Sequence, residues 1–221
     1  MLIDFKEIKK EDHHIFEHFA EGFLKELDYK IIRIPAVGQD GGVDIICLQP
    51  NHHGSSGYKW LVSCKHNAHS GRSVGQGDDQ ANVNKLYEHG CHGFMFVYST
   101  TVAESLRNSV EKICEKSNSS YHFFLAPDIE NELIRSPRFY PLIKQFFPKS
   151  YERLIVAINT GANCCPDGNS YPNTTYIVYF RDNKTYEIKV KIIGECCRER
   201  YVEYFQEFGI EYGCNIFEKR Y

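Results

Sequence analysis

The chain has 221 residues, 42% hydrophobic and 25% charged, with a formal net charge of −3. These proportions are those of an ordinary globular protein with one full domain, or one domain and a small appendage. No run approaches ~18 consecutive apolar residues, which excludes a membrane-spanning helix, and the mild acidity argues against a broadly basic nucleic-acid binder, leaving at most a local positive groove.

Met1-Leu2-Ile3-Asp4-Phe5-Lys6 lacks the basic-then-apolar layout of a secretory signal, so a cytoplasmic location is expected. Residues 11–28 predict an amphipathic helix: Phe16, Phe19, Ala20, Phe23, Leu24 and Leu27 recur at steps of three and four. Tyr29 to Pro35 reads as a strand, and Gly38 to Gly42 as a glycine turn. Val43 to Gln49 and Tyr58 to Lys65 are two further strands, joined by the polar loop Pro50 to Gly57.

A glycine-punctuated loop then leads to a predicted helix over Asp78 to Glu88, with Asp78 or Asp79 suited to its amino-terminal end. Gly93 to Ser99 is a buried strand, Val102 to Lys116 a helix, and Tyr121 to Ala126 a strand. Helical segments fill 128–147, interrupted near Pro137 and Pro141. Strands alternating with helices imply an α/β sheet with helices on its faces.

From Ser150 the texture changes. Ile155 to Ile158 and Tyr176 to Arg181 read as strands, Asp182-Asn183-Lys184 as a turn into Thr185 to Ile193, and Arg198 to Phe208 as a helix. The expected organisation is a domain over residues 1–149 and an α+β extension over 150–221, either a ββα unit or an addition to the first sheet.

Nine cysteines is an odd number, and most sit in apolar runs, as reduced buried thiols do. The adjacent pairs Cys164-Cys165 and Cys196-Cys197 lack the Cys-x2-Cys spacing that suits zinc.

The chemistry concentrates between residues 39 and 65. Gln39-Asp40-Gly41-Gly42-Val43-Asp44 opens one strand, and Trp60-Leu61-Val62-Ser63-Cys64-Lys65 closes its neighbour. An acid that can hold a divalent cation and a lysine that can hold a phosphate oxygen form the minimal kit for metal-assisted phosphodiester cleavage. Alternation along the strand puts Ser63 and Lys65 on one face, while Val62 and Cys64 point to the other. Cys64 therefore enters the core, which disfavours a cysteine nucleophile even beside His66.

This wording resembles the restriction-endonuclease superfamily, whose motif is PD…(D/E)xK, and is most similar to its Mrr-type domains, over roughly residues 11–126. The resemblance implies a restriction endonuclease-like core with a mixed central sheet flanked by helices. It also implies Mg2+- or Mn2+-dependent cleavage of DNA, commonly in defence against foreign DNA and often as a homodimer; a partner ATPase or sensor protein is a further expectation. The site it implies comprises Asp44, Lys65, the Cys64 backbone carbonyl and Glu17, which matches a glutamate that such domains place near the metal.

The chain departs from the family at Ser63, where an acid or glutamine is usual. Some enzymes that recognise a CCGG core carry Ser-x-Lys and supply the carboxylate about a dozen residues later, from the neighbouring helix. Twelve residues separate Lys65 from Asp78 and thirteen separate it from Asp79, so either is a candidate for the migrated acid, against the plain alternative of a helix cap. Asp40 shapes the glycine turn or touches metal. Gln80 and His66 are candidate substrate contacts, and His13, His14, His52, His53 and His69 read as surface histidines. Two rivals stand beside the nuclease: an inactive member of the fold that binds DNA or protein, and a structure-selective repair or junction nuclease.

Overall fold

The computed structural model describes residues 1–11, 13–33, 43–49, 57–160, 175–181 and 188–217. Two compact units divide it: Ile8–Asp128, and Met1–Glu7 with Ile129–Tyr221. The division expected from composition fell between 149 and 150; the compact units instead part at 128/129, and the first seven residues group with the later unit.

The first unit is built on a five-stranded mixed sheet in the order β1-β2-β3-β4-β5. Its strands are β1 (Lys30–Arg33), β2 (Ile45–Gln49), β3 (Tyr58–Lys65), β4 (Gly93–Tyr98) and β5 (Ser120–Phe124). β1, β2 and β3 pair antiparallel, then β3, β4 and β5 run parallel, as strand–helix–strand connections require. Three helices cover it: α1 (His13–Glu26), α2 (Val83–His89) and α3 (Glu104–Ser117).

The pleat sorts the strand residues into two cores. Leu61, Phe94, Phe96, Tyr98 and Phe123 pack against Leu86 of α2 and Leu106, Val110 and Cys114 of α3. On the other face, Phe23 of α1 meets Phe124 edge-on at 5.3 Å, and Phe124 pairs with Val97, itself opposite Cys64. The expected apolar stripe of α1 is buried at Phe16, Phe19, Ala20, Phe23 and Leu24.

One expectation fails locally. The helix predicted from Asp78 begins at Val83, because the Asn82 side chain caps it by accepting the Asn84 amide, while Asp78 is occupied in the turn before it. That helix ends at Gly90, whose φ of 58° is the left-handed conformation a helix stop needs.

The second unit holds α5 (Tyr140–Phe146) and α6 (Pro148–Thr160), then β6 (Thr175–Arg181), β7 (Ile188–Gly194), α7 (Glu195–Glu207) and β8 (Tyr212–Phe217). Between the two units, α4 (Ala126–Arg135) runs across the division. The strand expected at Ile155 to Ile158 is helix. A four-residue apolar run does not distinguish the two structures. Pro148 at the first turn and Glu7, whose carboxylate accepts the Lys149 and Ser150 amides, start a helix there.

β6 pairs with β7 and with β8, both antiparallel, giving a separate three-stranded sheet. The last strand was not foreseen from the sequence, and its addition makes the unit ββαβ. Phe205 of α7 packs with Tyr176, Val178 and Ile193 on one face of this sheet. The expected turn at Asp182-Asn183-Lys184 lies outside the described residues, as do Asp40, His52, His53, Cys164 and Cys165. No described helix is long and apolar enough to cross a membrane.

Candidate active site

β3 delivers the site because it is central and its end is polar. Its pairing with β2 runs through Ile45 opposite Val62, and one further step of that register sets Asp44 opposite Ser63. On the other flank, Phe96 lies opposite Ser63 and Tyr98 opposite Lys65. Directly opposed residues share a face, so Asp44, Ser63, Lys65 and Tyr98 belong to the α2/α3 side of the sheet.

Asp44 is only 7% exposed. Its backbone N–H donates to the Val62 carbonyl at 3.2 Å, and its Oδ2 accepts the Cys64 N–H at 2.5 Å. A cleft of about 300 Å³ opens beside it, lined by Ser63, Lys65, Asp78, Asp79, Gln80 and Lys85 over a floor of Leu61, Phe94 and Phe96. The Ser63 hydroxyl is buried and has no hydrogen-bond partner among the described residues.

The loop before α2 brings in the acids. Asp78 accepts the Gly75 N–H at 2.9 Å through one oxygen and the Arg72 guanidinium at 2.6 Å through the other. The Gly75 amide, then Arg72, hold its carboxyl below the usual range, and Lys65 contributes. Asp79 accepts the Tyr98 hydroxyl at 2.8 Å and the Gln80 N–H at 2.8 Å. Neither acid is on the neighbouring helix, where the Ser-x-Lys resemblance led one to expect it; both lie in the loop before α2.

Three candidates sit elsewhere. Glu17, on α1, lies on the opposite side of the sheet from the cleft; its Oε2 is 3.2 Å from His14 Nδ1, and its charge reaches Cys64. His66 is buried, stacked on Phe16 with ring centroids 5.0 Å apart. Nε2 of His66 and Nε2 of His69 both reach the Ile8 carbonyl, at 3.0 and 2.7 Å. The His66 ring thus serves the interior and is not among the cleft residues. Cys64 is buried, and burial, then the Asp44 and Glu17 charges, push its thiol far above the ordinary value, so the thiolate nucleophile is absent at neutral pH.

Among the described residues no group of three or more histidines, cysteines or acids converges as a metal cage. Zinc would need such a cage. A hard cation such as Mg2+ does not, because one or two carboxylates, a carbonyl, waters and substrate phosphates complete its shell. Two acids near a buried, unsatisfied Ser63 hydroxyl fit that second demand.

The model of the Mrr-type catalytic domain, described as a restriction endonuclease, matches residues 8–116. Over these residues the chain is similar to Mrr-type restriction endonuclease domains. The matched span lies within the first structural unit and contains Asp44, Ser63, Lys65, Asp78 and Asp79. A solved complex of the MspJI restriction endonuclease with a 27-mer oligonucleotide is similar at 16% identity and a TM-score of 0.36, covering 67% of this chain and 32% of that one. The chain thus spans about a third of that structure's length. No curated protein matches the chain.

Two cleft-associated residues escaped the sequence reading. Lys85 has no motif to mark it. Tyr98 becomes visible only once β4 is paired with β3, which sets it against Lys65.

Proposed function

We propose that this chain is a Mg2+- or Mn2+-dependent DNA endonuclease that hydrolyses phosphodiester bonds. The observation that carries the reading is Lys65 in one cleft with displaced acids, beside Asp44 on the same sheet face, within a segment of the Mrr type. In this reading Asp44, the Cys64 backbone carbonyl and a second acid among Asp78, Asp79 and Glu17 hold the cation. When bound, a divalent cation there lowers the pKa of a water and neutralises charge on the scissile phosphate.

The protein's own groups do the rest. Lys65 places an ammonium on the phosphoryl oxygens and stabilises the charge that develops as the bond to the leaving oxygen lengthens. Lys85 and Gln80 line the same cleft and orient the flanking backbone. Lys65 and Lys85 in the cleft, with the largely exposed Arg72 ion-paired to the cleft residue Asp78, give a local positive track on a chain whose formal charge is −3.

Action on foreign DNA, homodimerisation, a partner ATPase or sensor, and a cytoplasmic setting belong to this proposal as its biological context. Residues 150–221 are assigned to target recognition or dimer formation.

One observation favours a second reading. The acid normally expected at Ser63 is absent, which is also what an inactive, DNA-binding member of the fold would show. Supercoiled plasmid incubated with the chain and Mg2+, Mn2+ or EDTA separates the two: metal-dependent nicking supports the enzyme, and DNA retention without nicking supports the binding module. Branched against plain duplex substrates distinguish a restriction activity from a structure-selective one.

A further inference from the structure

We propose that Tyr98 is a positioning residue that fixes Asp79, rather than Asp78 or Glu17, as the carboxylate standing in for the acid missing at Ser63. The inference rests on the nuclease reading above and names one acid among the three it leaves open.

The three acids differ in what already holds them. Asp78 and Asp79 both line the cleft and both have each oxygen engaged, but Asp78 is ion-paired with the Arg72 guanidinium at 2.6 Å, whereas Asp79 accepts only from neutral donors, the Gln80 amide and the Tyr98 hydroxyl. Glu17 is on the far side of the sheet, on the helix that covers Cys64, and faces His14. Asp79 lines the cleft with Ser63 and Lys65. It is fixed from below by a side chain rooted in the sheet, because Tyr98 is fully buried and is the strand partner of Lys65.

The Tyr98 hydroxyl is a fixed donor. An ordinary phenol keeps its proton at neutral pH, and the buried ring leaves this hydroxyl little freedom to turn elsewhere. Asp79 Oδ2 takes that proton in a 2.8 Å bond, which sets the carboxylate's orientation. Such an outer partner typically governs how well a carboxylate ligates a cation.

The two acids also share surroundings. Asp44 flanks Ser63 from β2, and Tyr98, which holds Asp79, flanks Lys65 from β4 on the same sheet face. Ser63 lies between the strand positions involved, with a buried hydroxyl that no described group satisfies. A Ser-x-Lys strand with Asp44 on one flank and Asp79 on the other supplies the two carboxylates that a hard cation takes.

Calorimetric titration of the full chain with Mn2+ alone tests this, with a metal-free melting curve for every variant. Tyr98→Phe removes only the hydroxyl. It is expected to weaken Mn2+ binding about tenfold, to leave the metal-free melting temperature within a few degrees, and to regain nicking as Mn2+ is raised. Asp79→Asn is expected to weaken binding further, and decides alone if Tyr98→Phe melts early. If both variants titrate as the wild type does while Asp44→Asn abolishes binding, the positioning role is overturned and the nuclease reading stands. A wild-type chain that neither takes up Mn2+ nor nicks plasmid overturns the nuclease reading, and this role with it.

Discussion

Asp44 Oδ2 accepts the backbone N–H of Cys64 at 2.5 Å, joining the two halves of the motif across the β2–β3 pair. The bond helps to hold a carboxylate that is only 7% exposed. A charge-assisted bond from a backbone amide is among the stronger single hydrogen bonds and anchors the acid at the strand end. It also fixes Asp44 beside the residue whose carbonyl is proposed to ligate metal.

Ser63→Asp should restore the usual motif and expose the logic of the vacancy. Without metal, a second acid at a position only 5% exposed lacks a partner and is expected to destabilise the chain by about 1–3 kcal/mol. With Mn2+ present, most of that loss should return, so the metal-induced rise in melting temperature exceeds the wild-type rise. Thermal melts with and without Mn2+ check this, and an equal rise in both proteins would show that position 63 does not see the cation.

The turn that presents Asp79 should loosen in acid. The Gly75 amide and Arg72 hold the Asp78 carboxyl below the ordinary range, so the folded turn favours the deprotonated form. A carboxyl lowered in the folded state contributes above its unfolded value, about pH 4, and that contribution is lost as pH falls through the folded value. Hydrogen exchange at the Gly75 amide should therefore accelerate, relative to the intrinsic rate, below about pH 4, and Asp78→Asn should flatten that dependence. Unchanged relative protection through the acid range would contradict it.

Gly213→Ala should destabilise the second sheet. A Cβ there would come within 2.1 Å of the Tyr179 ring, its strand partner. The ring has no easy retreat, because the Tyr179 hydroxyl donates to the buried Glu130 carboxylate at 2.5 Å and Glu130 also holds the Ile3 amide. Overpacking of this kind costs about 1–3 kcal/mol, to be read as a lower urea midpoint, whereas a neutral result would mean the tyrosine moves freely.

Much of the first unit was legible in the sequence because each element carried its own period. The phenylalanines of α1 marked one helical face, and Tyr58 to Lys65 was bounded correctly because a glycine precedes it and polar loop residues follow. The end of the motif strand also sorted by simple alternation, with Ser63 and Lys65 in the cleft and Cys64 in the interior. What failed depended on distant partners. Ile155 to Ile158 lies in a helix whose start is capped by Glu7, far away in sequence. Asp78 resembled a helix cap but serves Gly75 and Arg72, leaving the cap to Asn82. Tyr98 looked like one more aromatic of a buried strand, and only its pairing with Lys65 and its bond to Asp79 mark it out.

The central claim is that Lys65 and the neighbouring acids cut DNA, and the most direct measurement compares wild type with Lys65→Ala on supercoiled plasmid in Mg2+, Mn2+ or EDTA. The account predicts metal-dependent nicking or linearisation by wild type and a loss of about 100-fold or more in the variant. The variant's stability should change by no more than about 0.5 kcal/mol, as for a half-exposed strand-end side chain. Cleavage that persists in Lys65→Ala, or in EDTA, would contradict it.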